Sequence, residues 1–205
     1  MSTTQVFVEL LIDGFGVLIW LTILICSACG ISTEELMGYD YPAILIIPLS
    51  GIAYVLGILI DRVGYQIFDR YEKKNIPVVF TENEKYNENY PRNEKGEIHI
   101  KSIISYIEEN SKNLRSQINY NRTRLRLCRS WILNFFCISA SLTLAFVNGN
   151  PGKTYPTILF MALSVILCVL SFIVWKTLAK DYYKNIRSGY GVLTGKKLKG
   201  FSMGK

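Results

Sequence analysis

The sequence predicts an all-α membrane protein. Four transmembrane helices carry long cytoplasmic helical extensions, and the N and C termini both lie in the cytoplasm. Three observations predict this class. Half of the 205 residues are hydrophobic although 19% are charged, and the hydrophobic ones come in blocks rather than at the period of an amphipathic surface element. Four of these blocks approach the ~20 residues an α-helix needs to cross ~30 Å of hydrocarbon. The basic residues are distributed almost entirely to one side of those blocks.

The first block, Val6–Ser27, is interrupted only by Glu9 and Asp13. The others, Ala43–Ile60, Trp131–Val147 and Tyr155–Trp175, carry no charge. Tyr41, Trp131, Tyr155 and Trp175 stand at block edges, where amphipathic rings favour the headgroup layer. Asp40-Tyr41-Pro42 and Thr154-Tyr155-Pro156 read as helix starts, with a capping side chain and a proline in the first turn. The first five residues lack a positive charge and two acids follow in the first block, so no cleavable signal peptide is expected.

Orientation follows from the basic residues between blocks. Asp61–Ser130 holds 14, Lys176–Lys205 holds 8, Asn148–Thr154 holds one and Ala28–Pro42 holds none. The side with 22 of the 23 should be cytoplasmic. The chain then divides into transmembrane helices 1–2 (1–63), a cytoplasmic helical segment (64–130), transmembrane helices 3–4 (131–178) and a basic cytoplasmic tail (179–205).

In the cytoplasmic segment the second helix should project two or three turns past Asp61, since Val63, Ile67 and Arg70/Tyr71 keep helical spacing. Residues 75–98 read as an irregular loop, rich in Asn and Glu with Pro77, Pro91 and Gly96; Ile76–Thr81 could form one short extended piece. From Lys101 to Val147 there is neither Gly nor Pro, which predicts one continuous helix about 70 Å long. Its first half carries a stripe of Ile104, Ile107, Ser111, Leu114, Ile118, Asn121, Leu125 and Cys128. Such a stripe must be buried, either against the extension of the second helix or against the same helix of a neighbouring subunit.

Arg115, Arg122 and Arg129 recur every seven residues, and Arg126 lies one turn from Arg122, so these four share one face. A juxtamembrane basic face attracts anionic lipid headgroups. It also suits a polyanionic ligand, because guanidinium groups make bidentate phosphate contacts. Lys176, Lys180, Lys184 and Arg187 repeat the theme on one helical face, and Gly189–Lys205 is a Gly/Lys-rich tail expected to be flexible.

Inside the membrane, Glu9 and Asp13 are four residues apart on one face. A buried acid there is costly unless paired or wet, so Asp13 either pairs with Arg62, clamping two helices, or contributes to a cation-attracting pore mouth. The third block has a polar row of Asn134, Cys137, Ser141 and Ala145, fit either for close helix packing or for lining a wet pore. Gly51, Gly57 and Gly64, with Pro48, suggest that the second helix packs closely or bends.

One histidine, His99, cannot build a His-rich metal site, and it reads as an exposed loop residue. Cys26 and Cys29 form a C-x-x-C that closes a membrane helix rather than opening a helix of a redox domain. No Gly-rich phosphate loop and no cluster at metal-ligand spacing is present in the sequence. The expectation is a protein that is not an enzyme, with no catalytic residues, no metal and no cofactor.

With its four membrane helices, long juxtamembrane helices, basic cytoplasmic face and the Arg-bearing 101–147 segment, the chain resembles the small membrane effectors of bacterial antiphage defence, nearest the membrane effector of the Hailong system. The likeness is one of topology over the whole chain. It implies a homotetrameric ion channel of the bacterial inner membrane acting in abortive infection. That channel is held shut by a single-stranded DNA or nucleotide signal from a partner nucleotidyltransferase. Under this likeness Arg115, Arg122, Arg126 and Arg129 become the candidates for signal contact, and Asp13, Asn134 and Ser141 for the permeation path. The alternative is a non-conducting membrane anchor or scaffold that recruits a partner or anionic lipid.

Overall fold

The computed structural model describes residues 3–29, 46–81, 90–92, 98–148 and 154–194. Among them are five helices: α1 (Thr3–Cys29), α2 (Ile46–Thr81), α3 (Ile100–Asn110), α4 (Lys112–Val147) and α5 (Thr154–Leu193), with no strand beyond a single antiparallel bridge between Arg92 and Ile98. α1, α2, α4 and α5 are each long and apolar enough to cross a membrane. The protein is a multi-pass, all-helical membrane protein by this measure. α5 begins at Thr154 with Pro156 in its first turn, where a missing N–H costs nothing. The expected start at Asp40-Tyr41-Pro42 lies outside the described residues.

The chain divides into two compact units. Unit 1 comprises Met1–Phe68 and Arg126–Trp175; unit 2 comprises Asp69–Leu125 and Lys176–Lys205. The divisions fall at 68/69, 125/126 and 175/176, against 63/64, 130/131 and 178/179 from hydropathy alone.

Unit 1 is held by close backbone approach, which suits a medium where apolar side chains gain little by leaving lipid. A Cβ on Gly14 would collide with the backbone of Ala53, and one on Gly57 with the backbone carbonyl of Leu10. α1 and α2 therefore touch through their main chains, with the ring centres of Phe7 and Tyr54 5.0 Å apart beside them. Of the three glycines noted in α2, Gly57 makes this approach and Gly51 faces open space, while a Cβ on Gly64 would rest 3.5 Å from Leu133 of α4. Trp175 is fully buried, its ring 4.6 Å from Phe68 and 5.8 Å from Phe172. The membrane-crossing stretch of α5 is covered least, with 6% of its window buried against 33% for α1. α1 is thus the packed helix, and α5 presents its Leu, Ile, Val and Phe side chains outward.

Unit 2 has a core of Phe80, Tyr90, Ile103, Ile107, Ile118, Leu125, Tyr182, Tyr183 and Ile186. Four of the sequence expectations for this region are corrected. α2 does not stop two or three turns after Asp61 but runs to Thr81, and residues 76–81 are helical rather than extended. Phe80, buried edge-on against Tyr90 at 5.2 Å, anchors that last turn. The 101–147 segment is not one helix. Ser111 adopts an extended conformation (φ −150°, ψ 110°), and its Oγ accepts from Leu114 N–H at 3.4 Å, so it ends α3 and caps α4. The helix of the tail continues through Gly189 and Gly191 to Leu193. Ile107 and Leu114 lie over Gly189, 3.6 and 3.5 Å from the place a Cβ would occupy, which is ordinary contact distance. The α3–α4 stripe thus packs on α5 at Gly189, a partner that spacing did not suggest.

Candidate functional site

The most polar feature of unit 1 is the contact between α1 and α4. Asn134, fully buried on α4, donates from Nδ2 to the Asp13 carbonyl at 3.0 Å and accepts from Trp20 Nε1 at 3.3 Å. Gly16 makes the approach possible, since a Cβ there would strike the Asn134 amide. At one end of the contact Asn148 Nδ2 lies 3.3 Å from Ser27 Oγ and 3.5 Å from its carbonyl. Ser130 and Ser141 are also buried. Positions 130, 134, 141 and 148 are spaced four, seven and seven, so they share one helical face. At 1.5 Å per residue this polar row extends about 27 Å, nearly the thickness of the hydrocarbon layer.

At the other end of the row charges gather. Asp13 is 2% exposed, and the polar groups acting on it are Ser130, Asp61, Arg126 and Glu9. Arg126 grips Asp61 with two bonds, Nη2 to Oδ2 at 2.9 Å and Nε to Oδ1 at 3.3 Å. Arg129 Nη2 lies 4.0 Å from Asp61 Oδ1, with its guanidinium 5.5 Å from the Tyr65 ring centre.

The structure does not join Asp13 to Arg62. Arg62 is exposed and stands 5.9 Å over the Tyr65 ring. The reason is helical phase: Arg62 lies about 100° around α2 from Asp61, whose side chain faces α4. The carboxylate that collects arginines is therefore Asp61, a residue sequence reasoning missed. Asp61 and Arg126 belong to different blocks, and nothing in one sequence fixes the relative phase of two helices. Trp20 was also missed, although an indole N–H in the middle of an apolar helix signals a polar partner.

The four-arginine face is divided. Arg126 and Arg129 belong to unit 1 and are engaged with Asp61. Arg115 and Arg122 belong to unit 2 and are exposed. On the opposite side of α4, Arg124 lies 5.5 Å over the ring of Tyr120, itself exposed. Tyr183 Oη donates to Glu72 Oε2 at 3.4 Å.

His99 is exposed with Nδ1 2.5 Å from Ser102 Oγ. Cys26 and Cys29 are free thiols, one buried and one exposed. Among the described residues no three His, Cys, Asp or Glu side chains converge as a metal site would require.

No known family, no curated protein and no solved structure matches the chain. The functional reading therefore rests on this geometry.

Proposed function

We propose that the chain is an oligomeric membrane channel, closed in the arrangement described, whose opening parts α1 from α4. The observation that carries this reading is the polar α1–α4 row from Ser130 to Asn148, which extends about 27 Å through helices otherwise clad in apolar side chains. Polar side chains inside a membrane are expensive and tend to mark ion paths. Asp13, Asn134 and Ser141 would line the path once the row opens.

The gating ligand is a polyanion bound at Arg115 and Arg122, which share one exposed face of α4. A single-stranded oligodeoxynucleotide fits, because guanidinium groups hold its phosphates. Site and row share α4, which contributes to both units. A ligand that binds the closed state better than the open one holds the channel shut, and its removal opens it. The basic segments then face the cytoplasm with both termini, by the positive-inside rule. With the topological resemblance this describes a homotetrameric antiphage effector of the bacterial inner membrane, controlled by a signal from a partner nucleotidyltransferase.

A second reading is favoured by Asn134. Its donor and its acceptor are both satisfied within one chain, which is the behaviour of a helix clamp in a non-conducting membrane anchor. Planar-bilayer recording of the purified protein decides between them. The channel reading expects discrete currents that fall when short single-stranded DNA is added on the basic side, and that escape the block in an Arg115→Glu, Arg122→Glu variant. A silent bilayer across protein densities and voltages, with or without DNA, would leave the anchor.

A further inference from the structure

We propose that the unit 1 part of α2 binds one anionic phospholipid, its phosphate held by Arg62 and the Tyr65 hydroxyl and one acyl chain lying along Val55, Ile58 and Leu59. This goes beyond the channel reading and does not depend on it.

Helical phase sets the head of the site. Arg62 is exposed and turned away from Asp61. Among the described residues its guanidinium meets the Tyr65 ring, 5.9 Å from the ring centre, and pairs with no carboxylate. Tyr65 follows three residues later on α2 and is 43% exposed, so the two side chains are neighbours on the helix surface. A guanidinium over a ring keeps N–H groups for an oxyanion, and the phenol O–H is a second donor within one turn. The same ring is held from inside the unit. Arg129 of α4 lies 5.5 Å from its centre, with a side chain only 8% exposed. Of the three arginines at this end of the unit, Arg126 directs two hydrogen bonds to Asp61 and Arg129 is buried. Arg62 alone is presented to the outside.

The rest of its face is apolar and uncovered. Positions 51, 55, 58 and 62 are spaced four, three and four, which places them on one side of α2. Val55, Ile58 and the adjoining Leu59 are 55%, 43% and 56% exposed, and a Cβ on Gly51 would meet nothing within 4 Å. From Gly51 to Arg62 the face is about 16 Å long, close to the ~15 Å of hydrocarbon in one leaflet. A cation at the end of an apolar face of leaflet length matches a phosphate ester that carries an acyl chain. A soluble phosphate would cover Arg62 and leave the apolar face as it was. A lipid with a net negative charge is favoured over a choline lipid, whose ammonium offsets its own phosphate beside Arg62.

A ligand that binds the folded state raises its unfolding midpoint with the logarithm of its concentration. The test is thermal unfolding of the purified full chain in neutral detergent micelles doped with phosphatidylglycerol or, at equal mole fraction, phosphatidylcholine. Phosphatidylglycerol is expected to raise the midpoint and phosphatidylcholine to leave it. Arg62→Gln breaks no ion pair and should match wild type without lipid. It should need about tenfold more phosphatidylglycerol for the same rise, the loss of one charge-assisted contact. Lys180→Gln removes an exposed charge elsewhere, on α5, and should keep the wild-type response. Native mass spectrometry gives a second readout: one phosphatidylglycerol per chain retained by wild type and lost in Arg62→Gln. Equal responses to the two lipids, equal losses in Arg62→Gln and Lys180→Gln, or a rise reproduced by glycerol 3-phosphate would overturn the site. So would a changed oligomeric mass in Arg62→Gln with an unchanged lipid response, which would assign the face to a second copy of the chain. None of these measurements involves conductance or an oligonucleotide, so failure here is separate from failure of the channel reading.

Discussion

Asn134 of α4 donates a 3.0 Å hydrogen bond to the main-chain carbonyl of Asp13 on α1. A helical carbonyl already accepts from the residue four ahead, so this amide adds a second donor to an oxygen with a spare lone pair. The same side chain accepts from Trp20. One residue thus ties α4 to two positions of α1, seven residues apart. Asn134→Leu keeps the volume roughly but loses both bonds and leaves the indole N–H without its acceptor. The expected cost is about 1–2 kcal/mol, at the upper end of interhelical hydrogen bonds in membranes. Unfolding in mixed detergent measures it, and a shift of tryptophan emission that disappears in Trp20→Phe assigns the change to this contact.

The glycines of α2 separate cleanly by position. Gly57 meets the Leu10 carbonyl of α1, whereas Gly51 meets nothing. Gly57→Leu must push two helices apart along their main chains and is expected to abolish a monodisperse folded protein. Gly51→Leu should fold as wild type. Size-exclusion profiles and unfolding midpoints of the two variants make the comparison, and equal behaviour would contradict the α1–α2 packing.

Asp61 is the hub of the charged cluster, and removing its charge takes the carboxylate from Arg126 and from beside Arg129. Its side chain is 22% exposed and that of Arg129 only 8%. Breaking a buried ion pair costs roughly 3–5 kcal/mol, and the partial exposure of Arg126 and Asp61 reduces that to about 2 kcal/mol. Asp61→Asn should therefore lower stability strongly, and Arg126→Gln less, because Arg129 remains beside the carboxylate. A double-mutant cycle over Asp61 and Arg126 should return a coupling energy near 1–2 kcal/mol, while the same cycle over Asp13 and Arg62 should return none.

The sequence carried the architecture further than it carried the contacts. The apolar blocks located α1, α2, α4 and α5 because membrane crossing demands a length and composition that can be counted along the chain. It did not show that Ser111 would split the 101–147 segment. Serine is tolerated within helices, and only its extended backbone with the bond to Leu114 reveals a cap. Nor did it show that Pro77 lies within a helix or that Gly189 receives Ile107 and Leu114. Of the site residues, Asp13, Asn134 and Ser141 were visible as polar groups in apolar blocks. Asp61 and Ser130 were not, since both stand at block edges where polar residues are ordinary.

Ser111 offers a local test of the break. Its Oγ caps the first turn of α4 by accepting from Leu114 N–H at 3.4 Å. Ser111→Ala is expected to cost about 1 kcal/mol and to speed amide exchange at Leu114 and Arg115. The effect should be confined to the start of α4, with α3 held by the buried Ile103 and Ile107. Slowed exchange, or protection continuous from Ile107 through Leu114, would mean that alanine fuses the two helices.

The division of the arginines gives the sharpest functional discrimination. Arg115 and Arg122 are exposed in unit 2, whereas Arg126 is held by Asp61 with two bonds in unit 1. Charge removal at the two classes should therefore read out differently. Arg115→Gln with Arg122→Gln should leave the unfolding free energy within about 0.5 kcal/mol of wild type, as surface changes do. The same pair should weaken binding of a short fluorescent single-stranded oligonucleotide severalfold. Its salt dependence should become shallower, by about 0.7 in the logarithmic slope for each phosphate no longer neutralised. Arg126→Gln should do the reverse, lowering the midpoint while oligonucleotide affinity changes little. Fluorescence anisotropy at several salt concentrations, run beside thermal unfolding of each variant, separates the two. Were Arg126→Gln to weaken binding as much as the double substitution does, the ligand would have to displace Asp61, and the polyanion site would belong to the charged cluster of unit 1 instead.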